Sequence, residues 1–111
     1  MPDEDKKRAA HQALVDHVLT GAGSATPEQR ARAFSNADVP PSLQTLIGNV
    51  ATRPAQVTDA DFAAAKGSGF SEDQLFELVI CAAVGASARL YEAGLAALAD
   101  ATVSKEAGNA T

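Results

Sequence analysis

The sequence predicts an all-α fold in a single domain, organised around one long buried helix near the C-terminus. Three observations carry this. Helix start and stop signals recur along the chain with short breaks between them. No stretch alternates β-branched and polar residues as a half-buried strand does. The segment from Phe70 to Asp100, FSEDQLFELVICAAVGASARLYEAGLAALAD, reads as one helix that is apolar or small on nearly every side. Such a helix belongs in a core or between subunits, because a solvated one keeps a polar arc.

The elements follow in order. Asp3 to Leu19 forms a first helix, with Asp3, Glu4 and Asp5 at the positive end of its dipole and Leu14, Val15, Val18 and Leu19 as an apolar stripe. Gly21 to Gly23 ends it. Thr26 caps a second helix that has Pro27 at its first position and Gln29 closing the capping box; it carries Arg30, Arg32 and Phe34, and Pro40-Pro41 stops it. Ser42 is the expected cap of a third helix, Ser42 to Ala51, in which Leu43, Leu46, Ile47 and Val50 share one face. Thr58 caps a fourth, Asp59 to Lys66, with Asp61 at the box position and Gly67 as its stop. Ser71 caps the long helix, Gln74 returns the box, and Phe70 and Leu75 are placed for a hydrophobic staple. Residues 1–101 thus form the domain, and 102–111, small and polar, are expected to be a flexible tail.

From Thr58 to Asp100 the chain resembles the carboxymuconolactone decarboxylase and alkylhydroperoxidase D-like family. Gly69-Phe70-Ser71-Glu72-Asp73-Gln74-Leu75-Phe76-Glu77-Leu78, followed by CAAVGASARLYEAGLAAL, carries the resemblance. It implies a small orthogonal helical bundle of the alkylhydroperoxidase D-like kind and a homo-oligomer, a trimer or hexamer. The peroxidase branch uses Cys-x-x-Cys with a nearby His, whereas Cys81 is followed by Ala82, Ala83 and Val84. The activity implied is therefore that of a decarboxylase-like lyase acting on a small carboxylate-bearing compound. The alternative is a non-catalytic oligomeric scaffold or accessory subunit.

The candidate catalytic residues are Glu77, Cys81 and Arg89. Glu77 and Cys81 are four apart and share a helical face, and Arg89 lies eight residues beyond Cys81 near that face. A carboxylate amid apolar residues must be paired, hydrogen-bonded or neutral. Glu77 is thus half of an ion pair with an Arg of another helix or subunit, or an acid/base lining a pocket. Arg89 either holds a carboxylate or bridges to Glu92. An adjacent carboxylate and apolar surroundings both oppose thiolate formation, so Cys81 reads as a packed structural thiol. Tyr91 is expected to pack. His11 and His17, six apart, fall on different faces of the first helix, and Arg8, Arg30 and Arg32 read as solvated or intersubunit charges. With no phosphate loop, Ser/His/Asp signature or ligand cluster, no cofactor or metal is expected.

With 111 residues, no Trp, four Phe and one Tyr, the core is thin, and association between chains is a plausible source of further stability. A net charge of −5 and the lack of a basic face argue against nucleic-acid binding. The single cysteine, the absence of an apolar leader and the absence of a charge-free span of about 18 apolar residues lead to the expectation of a cytoplasmic protein that does not engage membranes.

Overall fold

A computed structural model describes residues 2–109, and side chains from 5 to 103. It is all-helical over those residues. Helices α1 (Pro2–Thr20), α2 (Pro27–Ser35) and α3 (Pro41–Thr52) are followed by a single 3₁₀ turn (Pro54–Gln56), α4 (Asp59–Gly67) and α5 (Glu72–Asn109). Helices α2, α3 and α4 gather along the first half of α5, and α1 runs beside it into the second half. Their shared core holds Leu43, Leu46 and Ile47 of α3, Ala33 of α2, Ala65 of α4, and Leu75, Leu78, Cys81 and Ala82 of α5.

Local chemistry explains most of the boundaries. At α2, Thr26 Oγ1 accepts from the Gln29 amide at 3.1 Å while the Gln29 side chain accepts from the Thr26 amide at 2.9 Å, a reciprocal box. The same exchange opens α5 between Ser71 and Gln74, at 3.1 and 2.9 Å. At α4 the Thr58 amide donates to the Asp61 carboxylate at 3.0 Å. Phe70 packs against the buried cluster that contains Leu75, as a staple requires.

Four expectations are corrected. Helix α2 stops at Ser35, short of the proline pair, because Asn36 adopts a left-handed conformation (φ 49°, ψ 45°). Its amide and that of Ala37 return to the carbonyls of Ala33 and Arg32, a Schellman closure with Asn in the place usual for Gly. Ser42 is not the cap of α3, which begins at Pro41 after Pro40, with no side-chain cap. The tail expected to be flexible continues α5 as far as Asn109, and only its last two residues lie outside the described part. The long helix is also not buried throughout: its inner face is covered as far as Gly85, while Leu90 and Leu98 are 75% and 64% exposed. The chain consequently measures 63 × 28 × 21 Å, since 38 residues of helix span roughly 57 Å.

Helix α2 meets α5 at Gly85. A methyl group there would overlap the carbonyl of Phe34, so the glycine permits backbone-to-helix contact. By contrast, nothing lies within 4 Å of a methyl placed on Gly48 in α3. Gly48→Ala is expected to gain up to about 1 kcal/mol from helix propensity. Gly85→Ala, despite the same propensity gain, is expected to lose at least about 2 kcal/mol through overpacking. Urea denaturation of the two variants should give opposite signs.

Candidate functional site

Glu77, Cys81, Gly85 and Arg89 are spaced by four and form one i+4 row along α5. Such a row is a ridge that another helix packs against. The three catalytic candidates therefore share a line, but each is engaged with backbone. The Glu77 carboxylate accepts from the amides of Ser24 (2.8 and 2.9 Å) and Ala25 (2.6 Å), the residues that lead into α2. The Cys81 thiol, 1% exposed, donates to the Val18 carbonyl in the last turn of α1 at 3.3 Å. The Arg89 guanidinium donates to the Phe34 carbonyl at 2.7 Å.

These bonds match the dipole of α2. An anion sits before its N-terminus and a cation at its C-terminus, the favourable sense at both ends. The Schellman closure uses the carbonyls of Arg32 and Ala33, and Arg89 satisfies the orphan carbonyl of Phe34. Glu77 and Arg89 are twelve residues apart, about 18 Å along the helix. They clasp α2 from its two ends and do not converge on a common ligand.

Two expected partnerships are corrected. The one ion pair among the described side chains joins Lys66 to Glu72, so within the chain Glu77 is not paired with an Arg of another helix and Arg89 does not bridge to Glu92. Arg30, read from sequence as a surface charge, is 6% exposed. It reaches back beneath the α1–α2 loop and donates to the Gly21 carbonyl and, at 3.1 and 2.9 Å, to the Ala25 carbonyl. The loop Gly21 to Ala25 is thus held by Arg30 through its carbonyls and by Glu77 through its amides. Gly23 fits because a methyl group there would strike the Glu77 carboxylate. Only the run Gly-Ala-Gly-Ser hinted at this in the sequence, as a loop able to bring backbone close to side chains.

Beside this clasp lies a cavity of about 160 Å³, lined by His17, Val18, Arg30, Phe76, Glu77 and Cys81 among others. Burial raises the Cys81 thiol above its ordinary value; nearby Arg30 opposes the rise and Glu77 adds to it. The thiol is therefore a poor nucleophile near neutrality. Tyr91 packs on His11, ring centroids 4.6 Å apart, which ties α1 to the second half of α5. His17 lies at the far end of α1, in the cavity's wall.

Three measurements follow. Glu77→Gln leaves one acceptor oxygen where the loop amides use two, and should cost about 1–3 kcal/mol in urea denaturation. Arg89→Ala, at a more exposed bond, should cost about 1 kcal/mol. Folding raises the thiol above its unfolded ionisation range, so stability should be level below that range and fall as pH rises through it. The fall should be smaller in Cys81→Ala.

Comparison of this chain with protein-family models, with curated proteins and with solved structures gives no match in any of the three.

Proposed function

We propose that this chain keeps the decarboxylase-like helical scaffold that its Gly69 to Leu78 segment resembles, and uses it as a non-catalytic assembly subunit. The supporting observation is the bonding of the i+4 row. Glu77 and Arg89, the acid/base and the anion holder of a lyase reading, spend their hydrogen bonds on the backbone at the two ends of α2. Moving a proton to Glu77 would loosen the α1–α2 loop, and withdrawing Arg89 would leave a helix-terminal carbonyl without its donor. Cys81 is buried, bonded to Val18 and held neutral. In their place, the exposed apolar surface of α5 is what the fold presents to a partner, and a second copy of the chain fits the homo-oligomeric reading.

One observation favours the lyase reading: the cavity beside Glu77 also has Arg30 and His17 in its wall, so a small carboxylate would meet cationic or polar groups there. Thermal melts distinguish the two. A site that takes small carboxylates is stabilised by about 2.7 kcal/mol at a hundredfold excess over Kd. The assembly reading expects no change in Tm across a panel of millimolar mono- and dicarboxylates. A rise of several degrees that disappears in His17→Ala would overturn it in favour of the enzyme.

A further inference from the structure

The face of α5 turned away from the bundle has a pattern of its own. Phe76, Ile80, Ala83, Ser87, Leu90, Gly94, Ala97 and Ala101 follow one another at alternating spacings of four and three. That is the 3.5-residue repeat of a coiled-coil seam. None of the eight is charged, Phe76 and Leu90 are 67% and 75% exposed, and Ile80 is half-buried. The core-facing residues Leu78 and Gly85 occupy the opposite side of the helix.

We infer that this seam pairs with the same seam of a second copy, antiparallel, about a two-fold axis between Ser87 and Leu90. The inference deepens the assembly reading above and rests on it. Its basis is size complementarity in that one register. Laid antiparallel, Phe76 faces Ala101 of the other copy, Ile80 faces Ala97, and Leu90 faces Ser87, so every large side chain meets a small one. Ala83 faces Gly94, which lets the backbones approach closely on either side of the axis. A parallel pairing sets Phe76 against Phe76 and Gly94 against Gly94, a collision and a void on the same seam. Antiparallel helices also oppose their dipoles favourably.

The seam covers 25 residue steps, about 38 Å. A stripe of that length around a third of a helix offers roughly 500–600 Å² per chain, and about 1,100 Å² for the pair, near the lower bound for a specific interface. A bilayer is the competing occupant, since α5 is long enough to cross one and holds an 18-residue stretch of mean hydropathy 1.4. The second copy is favoured because α5 could not enter lipid without breaking the clasp made by Glu77 and Arg89, whereas the outer seam can be covered with the bundle intact.

Sedimentation of the full chain at tens of micromolar should give a species of twice 11.3 kDa, a dimer in place of the trimer or hexamer that the family resemblance implies. Leu90→Glu should run as a monomer at the same concentrations with its helical circular dichroism retained, and Ser87→Glu should do likewise. Spin labels on Thr102→Cys, beside the seam, should lie about 40 Å apart in the dimer, the axial separation of that position in the two copies. A wild-type monomer would overturn both this pairing and the assembly reading. A dimer that survives Leu90→Glu, or labels closer than about half the seam length, would overturn the pairing alone. So would monomeric protein taken up by neutral phosphatidylcholine vesicles.

Discussion

The row Glu77, Cys81, Gly85 and Arg89 is the constraint on which the fold of the N-terminal half depends. It holds the end of α1, the loop after it and both ends of α2 by backbone atoms, and backbone is common to every sequence that could stand there. What it demands of its partners is geometry: an αL residue after α2, a glycine in the loop, and no side chain in the way at Gly85. A nine-residue helix is too short to persist alone in water. Anchored at both poles by opposite charges that suit its dipole, it becomes a fixed part of the bundle. The acid and the base of the row therefore serve one helix rather than each other.

Much of this organisation is legible in the sequence. Caps are local, and Thr26 with Gln29 or Ser71 with Gln74 can be read within four residues because the bonds they make close within four residues. The apolar face Leu43, Leu46 and Ile47 is legible for the same reason, as periodicity is a local property. The site was half legible. Spacing showed that Glu77, Cys81 and Arg89 share a face and that a carboxylate among apolar residues needs partners. It could not show that those partners are amides and a carbonyl, since backbone groups are written identically at every position. Arg30 illustrates the limit: by composition it looks like Arg32, and only the loop folding over it separates a buried arginine from a solvated one.

The extent of burial along α5 departs from the sequence expectation for a related reason. A helix apolar on all sides must be covered, and one chain supplies too few elements to cover 38 residues. Helix α1 runs back along it as far as Tyr91 and His11, and the outer seam is left open. The residues that leave it open are mostly Ala, Gly and Ser, which is why the exposure is tolerable at all: each adds little apolar area to water. The same smallness favours close approach by a matching helix.

The bonds of the clasp join positions 52 to 63 apart in the chain. Closing loops of that length is slow compared with forming a capped turn, so the caps of α2 and α5 can organise before the row engages. The clasp then acts as a latch set last, and as one unit. Loss of any of its members frees the α1–α2 loop and α2 together, ahead of α3 and α4, which are held mainly by side-chain packing, with the Lys66–Glu72 ion pair tying α4 to α5. In hydrogen exchange the amides of residues 24 to 35 would share one opening event, whose free energy measures the row of α5 more than anything within α2 itself.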